Sequence, residues 1–174
     1  MLILETARLV LRTIDVSDAP FYLNLVNTRE FIENIGDRGI RTLEAARETI
    51  VSGPVAMQAV LGHSIYLVEL KESGASIGMC GLIKRDTLDD VDLGYALLPP
   101  YVGKGYAYEA AAAVVAYART TMGMRRLVAI TSPGNTTSIG LLEKVGMRFE
   151  KLVYLKPDDP TRLYGIDLCA TIDL

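Results

Sequence analysis

The sequence predicts an α/β domain, and three observations lead there. Residues 91–98 alternate apolar and small or polar side chains as a half-buried strand does. They run into a turn holding Gly103 and Gly105, and the turn runs into an alanine-rich stretch, 106–119, without Gly or Pro. Strand and helix periods then recur along the chain in the order β-α-α-β-β-β-α-β-α-β-β. With 174 residues, half of them hydrophobic, the chain can bury its own core. We read 1–174 as a single domain.

Each element has a local reason. Residues 8–14 alternate as a first strand. Ser17 and Asp18 suit the cap of a helix reaching about Asn27. Residues 31–39 are rich in turn formers. Thr42 suits the cap of a second helix through Ile50. Gly53 and Pro54 break or kink that helix, and 55–61 continue it. Strands follow at 64–69 and 75–84 around the turn 71–74, and 86–90 turns into the strand at 91–98. Beyond the 106–119 helix, 126–131 reads as a strand and 132–134 as a loop. Asn135 starts a helix that stops near Gly146. Two strands, 148–155 and 163–172, close the chain. There is no internal repeat, low-complexity stretch or domain linker.

Composition excludes several classes. No apolar run approaches the ~20 residues that span a bilayer. The N-terminus lacks the basic region and cleavage site of a signal peptide, so a cytoplasmic protein without a membrane partner is expected. Cys80 and Cys169 fall in predicted strands, which suggests packed, reduced thiols rather than a disulfide. His63 has no Cys or His cluster around it, so no metal site is expected. A net charge of −3 argues against a nucleic-acid surface and is compatible with cationic amines.

A strand feeding a glycine turn into a helix N-terminus makes an anion site, because unpaired N–H groups and the helix dipole converge there. Three phosphate-binding patterns compete with a plain turn. Gly103-Lys104-Gly105 does not fit a P-loop. A dinucleotide fingerprint needs a small residue where Tyr108 stands, and an acid at the end of the next strand, where 130–132 stand. The segment Val102-Gly103-Lys104-Gly105-Tyr106-Ala107 resembles the pyrophosphate loop of the GNAT superfamily of N-acetyltransferases, Gln/Arg-x-x-Gly-x-Gly/Ala, with Val102 in place of the first residue. The segment 135–149, with Asn135, Ser138 and Leu142-Glu143-Lys144-Val145-Gly146, is similar to that family's second motif. It has the form found in the ribosomal-protein alanine N-acetyltransferases. The openings Glu5-Thr6-Ala7-Arg8-Leu9 and Asp92-Leu93-Gly94-Tyr95 resemble the same branch. The likeness spans nearly the whole chain.

The resemblance implies a twisted, mixed sheet of about seven strands flanked by about four helices. It implies that the sheet splays between the strand ending at Leu98 and the strand ending at Thr131. Acetyl-CoA would lie in that V, its pantetheine arm along the backbone of Ala96, Leu97 and Leu98. Its pyrophosphate would meet Val102, Gly103, Lys104, Gly105, Tyr106 and Ala107, and Asn135 and Ser138 would approach from the other side. The alternative for Asn135 is a plain N-cap, which its residue type suits well. On this pattern Gly105→Val should block the phosphate with little change in fold.

The implied chemistry is attack of a primary amine on the thioester in a ternary complex. The amine must lose a proton, and the departing thiolate must be stabilised. Asp92 stands where this branch often has a Glu proposed as general base. It shares a strand face with Gly94, Ala96 and Leu98, while Val91, Leu93, Tyr95 and Leu97 face the other way as core. Asp92 can also be read as a hairpin-end acid beside Asp89 and Asp90. The tyrosine that many of these enzymes use as general acid would fall at Leu142, so Ser138 is the candidate acid. A helix-start hydroxyl is its plain alternative. The acceptor is expected against residues 31–41 and 154–164, as a small molecule or a protein N-terminus. A monomer or homodimer fits equally. The competing reading is a non-catalytic acyl-CoA-binding or regulatory module.

Overall fold

The computed structural model describes residues 1–169. Among them one sheet of eight strands runs in the order β1-β2-β3-β4-β5-β6-β8-β7. Strands β1 (Leu2–Glu5) and β2 (Leu9–Thr13) form an antiparallel pair, which adds one strand to the expected seven. Asp15, rather than Ser17, starts the first helical segment. Its carboxylate accepts from the Ser17 N–H at 2.8 Å, and Asp18 accepts from the Asp15 N–H at 2.9 Å. This capping box leads into α1 (Ala19–Val26).

The turn-rich reading of 31–39 needs correction at its start. Thr28 caps a short helix there, α2 (Arg29–Asn34), and Phe31 anchors it in the core. Thr42 caps α3 (Leu43–Ile50) as expected. At Gly53 and Pro54 the chain does not break. A π-turn, Val51–Val55, carries it into α4 (Ala56–Leu61). The wide turn accommodates a proline that cannot donate an N–H to an α-helical ladder.

Strands β3 (Ile65–Leu70), β4 (Ser76–Ile83) and β5 (Asp92–Leu97) form an antiparallel meander. Then come α5 (Tyr106–Thr120), β6 (Arg126–Thr131), α6 (Thr136–Lys144) and the hairpin of β7 (Arg148–Lys156) and β8 (Asp159–Asp167). Strand β8 starts earlier than the expected 163, because the hairpin turns tightly at Asp158, the one non-glycine residue with positive φ among those described. Cys169 lies past the strand and is exposed, unlike the buried Cys80. The expected strand positions beyond Cys169 lie outside the described residues.

Helices cover both faces. The alanines at 110 and 111, with Val114 and Ala118 of α5, pack on Leu11, Tyr66, Val68, Ile77 and Leu93. Across the sheet, α1 and α3 pack on Leu67 and Met79. The opposite assignments of Leu67 and its neighbours Tyr66 and Val68 follow the two-residue period of a strand. His63 is buried with Nδ1 at 2.9 Å from the Leu82 carbonyl, a structural contact. No helix among the described residues is long and apolar enough to cross a membrane.

Candidate active site

Strands β5 and β6 run parallel but pair at one position only, Asp92 with Val128, where the Val128 N–H donates to the Val91 carbonyl at 2.9 Å. Beyond it the strands part as the sequence reading expected. The opening is a groove of about 840 Å³. One wall is β5, with Gly94, Tyr95, Ala96 and Leu97; the other is the end of β6 and the start of α6, with Thr131, Asn135 and Ser138. Val102, Gly103, Gly105 and Ala107 line it from the glycine loop. Phe31, Asn34 and Arg38 reach it from the helical segment, and Lys156, Asp159 and Thr161 from the closing hairpin.

The glycine loop has the backbone of an anion site. Gly103 and Gly105 have φ of +77° and +84°, a region that L side chains avoid. Gly105 is the N-cap of α5 and offers no side chain to the first-turn N–H groups. The loop is pinned from outside. Arg8 donates to Glu109 at 2.6 Å and to the Lys104 carbonyl at 3.0 Å, and its guanidinium lies 4.4 Å from the Tyr106 ring centre. Burial opposes ionisation of Glu109, but hydrogen bonds from Thr6 and Arg8 outweigh it and hold the carboxyl below the usual range.

Arg8 fills space that Gly105→Val would need. A Cβ on Gly105 would sit 3.2 Å from Arg8 Nη2, and the positive φ strains any L residue there. That substitution therefore disturbs the fold as well as the anion site, contrary to the expectation from the pattern alone. The side chains of Leu98, Lys104 and Tyr106 do not line the groove. Leu98 packs into the core beneath α1 and α3, the Lys104 ammonium lies near the Tyr101 ring, and Tyr106 turns to an outer cleft beside Arg8 and Lys71.

Asn135 caps α6. Its Oδ1 accepts from the Ser138 N–H at 3.1 Å. The Ser138 hydroxyl is left for the groove, where it meets the Tyr95 hydroxyl at 2.7 Å. Tyr95 was expected to be core. Its ring does pack on the apolar cluster under α5, but its oxygen reaches the groove wall. The half-polar character of tyrosine was the available signal, and periodicity alone cannot report it. Leu142 is buried at 1% exposure within the core.

Asp92 is not an exposed hairpin acid. It is 1% exposed, with Oδ2 2.6 Å from Arg85 Nε and Oδ1 without a hydrogen-bond partner among the described residues. Burial pushes its pKa up to about 6 against the opposing pull of Arg85 and, more weakly, of the Ile130 backbone N–H. The neighbouring Asp90 instead binds Arg126 at 3.0 Å. The role of Arg85 was missed in the sequence, although the β4–β5 hairpin that pairs Ile83 with Asp92 brings it there.

Comparison with known proteins gives a consistent answer. The family described as Acetyltransferase (GNAT) domain matches residues 8–148. Uncharacterized protein YkkB of Bacillus subtilis (strain 168) is 32% identical over 94 residues, a match spanning 53% of this chain and 55% of YkkB, about half of each. Uncharacterized N-acetyltransferase YoaA of the same organism is 29% identical over 150 residues, covering 85% of this chain and 84% of YoaA. Among solved structures, an acetyltransferase from Agrobacterium tumefaciens str. C58 superposes with a TM-score of 0.79 at 27% identity, covering 94% of this chain and 92% of that one. The ribosomal L7/L12 α-N-protein acetyltransferase RimL, in complex with coenzyme A, shares the fold with a TM-score of 0.81 at 18% identity, over 96% of this chain and 98% of that one.

Proposed function

Since this chain belongs to the GNAT acetyltransferase family, we propose that it transfers an acetyl group from acetyl-CoA to a primary amine by direct attack in a ternary complex. One observation carries the reading. A single groove runs from a glycine-loop anion site to a buried carboxylate with one free oxygen. At about 3.3 Å per residue of strand, Leu97 and Asp92 stand ~17 Å apart along β5, with Tyr95 between. In this proposal the pyrophosphate takes the loop end and the pantetheine arm lies along residues 96–98. The acceptor takes the end near Asp92, Arg38 and Asp159.

Asp92 is the proposed base, acting directly or through one water. Near neutral pH a carboxylate with pKa about 6 is largely ionised and still basic enough to accept a proton from an ammonium. Its unpartnered oxygen is the accepting atom. Ser138 faces the departing sulfur, and a β5 amide near Leu97 serves the developing oxyanion. Acetyl-CoA turnover with a panel of amines and N-terminal peptides, followed by release of free thiol, tests this. An amide product confirms acetyl transfer. Tight coenzyme A binding with no amide formed across the panel would favour the non-catalytic module.

A further inference from the structure

We propose that Tyr95 supplies the proton that Ser138 passes to the departing sulfur, a step that rests on the acetyl transfer proposed above. The geometry is specific. Tyr95 on β5 and Ser138 on α6 are 43 positions apart in sequence, yet their hydroxyls meet at 2.7 Å across the splay. The Ser138 backbone N–H is already taken by Asn135, and Tyr95 is the hydrogen-bond partner of its hydroxyl among the described residues. Leu142 has no acidic proton and lies in the core, so the side chain at that position of α6 supplies none.

Acid strength decides between the two hydroxyls. A serine hydroxyl is a far weaker acid than a phenol, whose ordinary pKa of ~10 lies nearest the ~8.5 of a thiol. A serine acting alone would be left as an alkoxide. With Tyr95 behind it, the residual charge ends on a phenolate. Burial raises the Tyr95 pKa, with the Ser138 hydrogen bond opposing, so the phenol enters the reaction protonated.

The step balances. The amine nitrogen forms the C–N bond, the C–S bond breaks, and its electron pair goes to sulfur. Ser138 gives its proton to sulfur and takes one from Tyr95. The nitrogen sheds one proton as the ammonium, which leaves through Asp92, and a second once the C–N bond has formed; that second proton, carried by solvent, restores the phenol. The sum is ammonium plus acetyl thioester giving amide, thiol and one proton. Tyr95 acts through Ser138 and is therefore a positioning and proton-supplying residue.

Tyr95→Phe removes one oxygen and keeps the ring packed. The variant should lower kcat by roughly 10²-fold or more while the KM for acetyl-CoA stays within about twofold. Combined with Ser138→Ala it should be no slower than Ser138→Ala alone, because both act on one step. A second readout needs no acceptor. The thiol of bound coenzyme A, titrated by its thiolate absorbance, should ionise at lower pH in the wild type than in Tyr95→Phe. Equal kcat, or the same thiol titration in both proteins with melting temperature preserved, overturns the role of Tyr95. Failure of the wild type to bind coenzyme A overturns the acetyl-transfer reading itself, and the Tyr95 step with it.

Discussion

In the proposed reaction the base is a single buried carboxylate, Asp92. Its pKa of about 6 sits above the ordinary ~3.9, so the ionised form that the proposed base requires fills as pH rises through about 6. Asp92→Asn should lose that rise in the pH–rate profile and lower kcat by roughly 10²–10⁴-fold, with coenzyme A affinity kept. The same displacement fixes a stability effect. The folded state holds the Asp92 proton more tightly than the unfolded chain, so its contribution is fully present below pH ~4 and is lost as pH rises through about 6. The melting temperature of Asp92→Asn relative to wild type should therefore improve across that window. A constant difference would show that the carboxyl titrates normally. Gly105 makes a second, independent test. An L residue at φ +84° costs roughly 1–2 kcal/mol, and the end of the Arg8 side chain need only shift slightly, so Gly105→Ala should lower stability in a denaturant melt by about that much. Unchanged stability would mean that the loop readily takes another conformation.

The elements whose patterns were long were legible, and the short ones were not. The 91–98 alternation and the alanine-rich helix gave β5 and α5 nearly to the residue, because each carries many periods of its own signal. The short α2 has too few apolar positions to show a helical period, and its Thr28 cap is a single residue. The onset of β8 was hidden by Asp158, Asp159 and Pro160, which read as loop but make a tight hairpin. The glycine loop and Asp92 were visible as motifs. The Tyr95–Ser138 contact and the Arg85–Asp92 pair were not, since both depend on how separate elements dock. The α3–π–α4 segment shows what such docking can do. Its π-turn sets Gly53, Pro54 and Met57 against the groove. Pro54→Ala restores an N–H and frees the segment to return to α-helical spacing, which would rotate α4 relative to α3. The expected result is a severalfold change in the KM for the amine, with the KM for acetyl-CoA and the melting temperature nearly unchanged. Equal effects on both KM values would place this wall outside the acceptor end.

The whole molecule is two sheet halves joined by little sheet. The core under α5 spans both halves, since Leu127 and Ala129 of β6 and Tyr164 of β8 join the residues of β2 to β5; the core beneath α1 and α3 rests on β3 and β4, and Val128 and Leu163 form a smaller cluster with Leu88. Between the halves the ladder has a single register pair, Asp92 with Val128. Helices α5 and α6 and the Tyr95–Ser138 hydrogen bond supply further contact across the same line. A ligand lying in the splay would touch both halves at once and would have no comparable site in the unfolded chain. Coenzyme A should then stabilise the fold by mass action, by about 2.7 kcal/mol at a concentration 100 times its Kd. For a domain of this size that corresponds to a rise of roughly 5–11 °C in Tm. Amide exchange should slow along both walls, in β5 and in β6 with the first turn of α6, as well as in the glycine loop. The paired pattern separates a bridging ligand from one that binds the loop alone. Protection confined to residues 103–107, with β6 unchanged, would mean that the pantetheine arm does not enter the splay, and the groove would need another occupant.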